Sequence, residues 1–404
     1  MSLIRITFAL ATALLVCTAL IPDATALPRM SATSGAPCST CHYNSDGGGL
    51  RSEIGWGTQW MTGAFDHEQT KLTFLYEQET NRVLDWLAVG GDLRIQMARL
   101  GEPTASLEDG QPVVQTPGRR IIPMQIQPYL AVMPFDFLTI HGSYALGPDM
   151  VRGDFCSTPF AGQTCWQAHA TVDIDPDWPS LRVGRFRPSI GMRHDDHTML
   201  IHRDASRSRG FLIPANYAEY GAELTYQPRS WIKGDGGVFL AQQLSESIGD
   251  ADLVEPLSPA YLGRVTYMPR LDFGPDASFY GWLGASVYGA GRFRMDQAFL
   301  GLGWLDRAAL MFEVTHLDYG PDRDRRGLNA AAMLAVPVRE WFVAEGRVEQ
   351  ALMFEDEEQS RQQAAVVGLH FYPVPFVKIR PEYRINRTDR WTMGQYAVQL
   401  HFFY

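Results

Sequence analysis

From residue 83 to the C-terminus, apolar and polar side chains alternate with a period of two, which restricts the chain to extended strands with two unlike faces. Leu87, Val89, Gly91, Leu93, Ile95 and Met97 share one face, and Asp92, Arg94 and Gln96 share the other. At the C-terminus Tyr396, Val398, Leu400, Phe402 and Tyr404 alternate with Ala397, Gln399, His401 and Phe403. Val377, Ile379, Tyr383 and Ile385 oppose the charged row Lys378, Arg380, Glu382 and Arg384. Such a row needs water on its side, and the other face needs an apolar solvent. Lipid outside and a wet lumen inside satisfy both. Amphipathic helical spacing is almost absent after residue 80.

The links between these stretches follow a rhythm. Short turns fall at Pro134-Phe135-Asp136, Asp175-Pro176-Asp177, Pro228-Arg229, Pro269-Arg270, Asp306-Arg307, Pro337-Val338-Arg339 and Tyr372-Pro373. Longer polar links occupy residues 101–119, 148–164, 192–209, 242–258, 319–326 and 354–361. Short periplasmic turns alternating with long extracellular loops are the layout of an all-β, transmembrane antiparallel β-barrel, here of about 16 strands. Trp86, Trp231, Trp304 and Trp341 lie beside the short-turn ends, where an interfacial aromatic girdle belongs. A soluble β-sandwich also alternates, but it gives no reason for even turns matched to girdle tryptophans. In residues 180–187, Leu181 and Val183 share parity with Arg185 and Arg187, which implies a bulge or a buried charge pair.

The N-terminus reads as an export signal. Arg5 precedes the uncharged apolar run 6–21, and Ala24-Thr25-Ala26 gives a cleavage pattern that leaves Leu27 first. Val16 before Cys17 is too large for a lipidation site. The chain divides into a signal peptide (1–26), a short segment that plugs or docks at the lumen (27–82) and a bacterial outer-membrane barrel (83–404). A net charge of -10 argues against nucleic acid as a partner.

Cys38-Ser39-Thr40-Cys41-His42 carries the chemistry. C-x-x-C-H is the attachment pattern of one covalent haem c: two thiols add to the vinyl groups and the next imidazole ligates the iron. Covalent linkage suits a segment too short to bury a cofactor. Gly47-Gly48-Gly49 reads either as close backbone approach to the porphyrin or as a plain loop. Trp56 and Trp60 read either as a helical face on the haem or as packing against the barrel wall. Met30, Met61, His67 and His401 are the candidate sixth ligands, an open iron site being the alternative. Cys156 and Cys165 suit a disulfide pinning one extracellular loop of an exported protein. His194, Asp195, Asp196, His197, His202 and Asp204 crowd the extracellular loop after the fifth strand. They read as metal ligands or as partners of Arg193, Arg203, Arg207 and Arg209.

The end Phe402-Phe403-Tyr404 is similar to the C-terminal aromatic signal of outer-membrane barrels. Val183-Gly184-Arg185-Phe186-Arg187-Pro188-Ser189-Ile190-Gly191 is similar to a strand and loop entry of phosphate-selective-type porins. Export signal, single C-x-x-C-H and barrel together resemble the fused monohaem cytochrome–porins of iron-oxidising bacteria. That resemblance implies electron transfer across the outer membrane, with extracellular Fe(II) or another small molecule as donor or acceptor. On the inner side it implies a periplasmic c-type cytochrome or other redox carrier. The rival readings are a diffusion porin whose haem segment is a plug or sensor, and a sheath for a separate cytochrome.

Overall fold

The computed structural model describes residues 31–404 apart from 33, 35, 45–46, 61, 66–69, 72–79, 102–103, 106–117, 147–162, 176, 195, 197, 207–209, 215, 275–277, 306 and 322–323. Sixteen long antiparallel strands form the wall. They are β1 (Leu87–Leu100), β2 (Gly118–Phe135), β3 (Leu138–Tyr144), β4 (Trp166–Val172), β5 (Ser180–Phe186), β6 (Glu219–Arg229), β7 (Ile232–Leu240) and β8 (Pro259–Tyr267). There follow β9 (Ser278–Ala290), β10 (Phe293–Trp304), β11 (Ala308–Asp318), β12 (Arg325–Arg339), β13 (Phe342–Glu355), β14 (Glu358–Phe371), β15 (Val377–Thr388) and β16 (Trp391–Phe403). Each pairs with the next, and β16 closes on β1 from Gln395↔Leu100 to Phe403↔Asp92. Closure pairs the backbone groups that an open edge would leave bare in lipid. Three short strands, Arg82–Leu84, Thr104–Ala105 and Arg270–Asp272, extend the rims.

The expected register holds. Tyr396, Val398 and Phe402 are exposed on the outside, while Ala397, His401 and Phe403 are buried inside. Lys378, Arg380 and Arg384 point inward, as do Asp92 and Gln96. Ile121, Leu283, Tyr261 and Val265 continue the outer apolar surface around the wall. Trp86 and Trp231 are exposed at the short-turn end, joined there by Trp178, Phe135 and Phe273. Among the described residues no helix is long and apolar enough to cross a membrane; the strands do the crossing.

All seven expected short turns lie at strand junctions, with Pro228-Arg229 and Pro337-Val338-Arg339 forming the last residues of β6 and β12. The other side departs from strict long loops. Gly291-Arg292, Asp356-Glu357 and Asp389-Arg390 are two-residue hairpins. Gly291 (φ 57°) and Asp356 (φ 52°) supply the left-handed residue that such tight turns require.

The anomaly at 180–187 resolves without a bulge, since β5 keeps continuous register with β4 and β6. Arg182 points inward and bonds Glu223 at 2.6 Å. Arg185 stays on the outer face, its guanidinium 4.9 Å from the Trp166 ring and 5.2 Å from Tyr220. Cation–π contact lets it share parity with Leu181 and Val183.

The main correction concerns the long loops after β5 and β7, which fold into the lumen instead of out into water. Ile190, Leu200, Leu212, Ile213 and Tyr217 from the first meet Leu244 and Ile248 of a short helix in the second, against wall residues Phe239, Tyr288, Phe293 and Leu317. Their apolar content is the reason, because a solvated loop would leave these side chains exposed. The lumen is therefore partly a packed core. The charged row of β15 meets ion-pair partners there and not open water alone.

Candidate cofactor site

The C-x-x-C-H motif forms helix α1 (Cys38–Cys41), one turn that sets both thiols on the same side. His42 leaves the turn in extended conformation, its N–H bonding Cys38 O. It then bridges Arg51 in antiparallel fashion, and Tyr43 N–H bonds Leu50 O, so residues 42–51 form a closed loop. Gly47, Gly48 and Gly49 sit in this loop with φ of 81°, 70° and 68°. At Gly47 the requirement is double. A Cβ there would lie 3.2 Å from Cys38 Cβ, 3.5 Å from its Sγ and 3.8 Å from the His42 ring. A side chain would fill the space around the motif, which is why this position takes glycine. Burial pushes the Cys41 thiol up, with Arg51 opposing.

Helix α2 (Glu53–Trp60) packs on the motif, Gly55 lying against Cys41 O. Trp56 is buried against the wall, 5.0 Å from the Phe376 ring and 6.1 Å from Tyr404. Of the two readings of Trp56, wall packing is the one realised. Other contacts tie the segment to the lumen face: Leu50 clusters with Ala88, Tyr129 and Ala131, and Arg182 Nη1 donates to Asn44 Oδ1 at 2.8 Å. Arg51 stacks on Phe403, and Asn81 donates to Arg51 O.

A cavity opens beside Cys38, with about 600 Å³ of unfilled space continuous with solvent. Ser31, Pro37 and Cys38 line one side; Met192 and Arg193 of the inward loop, Lys233 of β7, Arg264 of β8, Met268, and Tyr280 and Trp282 of β9 line the others. Two thiols on one turn with an imidazole directly after it, glycine where a Cβ would intrude, and a cavity beside Cys38 with aromatic, thioether and cationic walls are a donor set that fits haem c. None of these wall residues was singled out as a ligand from sequence; their inward parity was readable, their convergence on Cys38 was not.

Met30, Met61 and His67 lie outside the described residues, as do the signal peptide and Cys156. His401 sits in the wall with Nε2 2.6 Å from Asp92 Oδ1. Cys165 is buried.

The His/Asp cluster after β5 is not an exposed loop feature. His194 Nε2 lies 2.6 Å from Glu313, and Asp196 pairs with Arg347 at 2.9 Å, Arg384 at 3.3 Å and Arg380 at 3.5 Å. Asp204 pairs with Arg325 at 2.5 Å, so both acids reach arginines of the wall. His202, kept neutral by burial, accepts from Gln297 Nε2 at 2.9 Å. Asp195 and His197 are outside the described residues. Among those described, no three His, Cys, Asp or Glu side chains gather to hold a metal ion. Between this loop and the wall lies a second cavity, about 710 Å³ of open space bordered by Arg94, Glu345, Lys378, Glu382 and Gln399.

Neither a protein-family model nor a curated protein sequence matches the chain. Solved structures do. OprB of Pseudomonas putida aligns with TM-score 0.53 at 10% identity, covering 79% of this chain and 94% of its own. The outer membrane channel DcaP of Acinetobacter baumannii gives 0.51 at 10% identity over 79% and 97% of the two chains. The anion-selective porin from Comamonas acidovorans gives 0.51 at 12% identity over 79% and 99%. At such identities the likeness concerns the fold. With the apolar outer surface and closed wall, it makes this chain a 16-stranded barrel of the porin type, built to span the bacterial outer membrane.

Proposed function

We propose that the protein carries electrons across the outer membrane on one haem c, joined to Cys38 and Cys41 with His42 as proximal iron ligand. The observation that supports this most is the position of the motif: Cys38 borders a cavity whose other walls are lumen-facing side chains of a membrane-spanning barrel. Bound there, the haem supplies a one-electron couple. The chain's own residues hold it by two thiols, exclude bulk lipid with the wall, and set the local dielectric and charge. Residues 1–26 serve as the export signal and 27–82 as the haem segment, with a periplasmic c-type cytochrome or other carrier on one side and extracellular Fe(II) or another small molecule on the other. A Cys156–Cys165 disulfide belongs to the same exported state, and Cys165 does not count among the free thiols.

A second reading, a diffusion porin with the haem segment as plug or sensor, is favoured by the porin neighbours and by the charged cavity beside the inward loop. One preparation separates the two. Protein made with a cytochrome c maturation system is run on a denaturing gel and stained for haem, and the same protein is placed in planar bilayers. The electron-transfer reading expects a stained band, greatly weakened in Cys41→Ala. An unstained wild-type band with steady ionic conductance would leave only the porin.

A further inference from the structure

We propose that Met192, on the inward loop after β5, supplies the sixth ligand of the haem iron through its thioether sulfur, with His42 as the fifth; this rests on the haem reading above. Among the described residues of the segment that bears the motif, His42 is the only imidazole and no thioether occurs. The interior of the barrel holds several. Met192, Met199, Met268, Met311 and Met333 are buried in one apolar cluster. Met199, Met311 and Met333 border the second cavity, whereas Met192 and Met268 line the cavity beside Cys38. Thioether sulfur is a soft donor, and with imidazole on the other side it gives the His/Met ligation of an electron-transferring haem.

Two features set Met192 apart from a side chain that only fills space. Its sulfur is oriented, because the Trp282 indole N–H donates to Sδ at 3.5 Å. That bond engages one lone pair and leaves the other for a ligand in the cavity that both side chains line. Its backbone is also fixed on both sides. The Gly191 N–H donates to Ser286 Oγ of β9 at 3.0 Å, and the Met192 N–H to Glu313 Oε1 of β11 at 3.1 Å. Gly191 has φ 52°, and a Cβ there would collide with the Glu313 carboxylate, so glycine is what lets the loop come this close to the wall. On the other side the Arg193 guanidinium lies over Gly48, where a Cβ would be 2.5 Å from Nε. Met192 is thereby held between the loop that follows His42 and the wall. A metal ligand needs this kind of support, since the groups behind it set where its donor atom points.

The test uses the full-length protein with its covalent haem. Wild type, Met192→Leu, Met192→His and Met268→Leu are purified, checked for haem staining and heat-modifiable migration, and compared by absorption spectroscopy and spectroelectrochemical titration. Leucine keeps the volume of methionine, so the packing of the loop should survive. Wild type is expected to show the long-wavelength charge-transfer band of a thioether bound to ferric iron, which a second imidazole does not give. Met192→Leu should lose that band, bind carbon monoxide at least tenfold faster when reduced, and fall in midpoint potential by ~59 mV or more, tenfold in a one-electron equilibrium. Met192→His should give a bis-imidazole spectrum in place of the band. Should the Met192 variants fail to assemble, Trp282→Phe carries the test, since it removes the N–H bond to sulfur and should shift the band; an unshifted band would then count against the ligand. A band that persists in Met192→Leu, one that is lost in Met268→Leu in its stead, or one missing from haem-loaded wild type would overturn Met192 as ligand while leaving the haem intact. A wild-type chain without covalent haem would overturn both readings at once.

Discussion

Glu223 shows how a single buried residue governs the lumen. It bonds Arg182 Nη2 at 2.6 Å, the Ser189 N–H at 3.0 Å and the Ser189 hydroxyl at 2.7 Å, so the inward loop starts from this carboxylate. Removing one partner of a buried pair leaves the other charge uncompensated, at about 3–5 kcal/mol. Glu223→Ala should therefore lower the unfolding temperature and open the loop base to protease, with Arg182→Met/Glu223→Met recovering part of the loss. A Glu223→Ala barrel as stable as wild type would show that the pair does not anchor the loop. The C-x-x-C-H of the proposed haem site is a local pattern, legible at the same scale. Met192 and Trp282 were not legible as a pair, because they are distant in sequence and only closure of the wall around the inward loop brings them together beside Cys38.

At the scale of elements, strands were legible and loop directions were not. A strand between lipid and lumen must alternate, so register follows from residue type alone. Turn positions follow from Pro, Asp and Gly for equally local reasons. Whether a loop leaves the barrel or enters it depends on the partners waiting inside, such as Asn329, whose amide donates to the carbonyls of Ile201 and Arg203. One clue was available, the apolar run Met199-Leu200-Ile201 within a link otherwise rich in charge. The register itself is testable on β16. Arginine at lipid-facing Val398 should destabilise the barrel by roughly 2–4 kcal/mol. Arginine at Gln399, which lines the inner cavity, should be tolerated far better. Heat-modifiable migration of the two variants compares them; equal tolerance would mean the faces are misassigned.

For the whole molecule, the barrel, the inward loops and the N-terminal segment make one nested object. The wall keeps lipid out, the loops fill part of the bore with packed side chains, and the segment carrying Cys38, Cys41 and His42 lies against the inner face. On the electron-transfer reading proposed above, this nesting gives the electron an insulated path and short distances. The most direct test is transmembrane electron transfer in proteoliposomes that enclose a membrane-impermeant electron acceptor, with Fe(II) or another reductant supplied only outside. Wild-type protein should reduce the enclosed acceptor. His42→Ala, shown by heat-modifiable migration to form a barrel, should do so at least tenfold more slowly. Equal rates in the two, or reduction that tracks leakage of a small solute, would contradict the electron-transfer account.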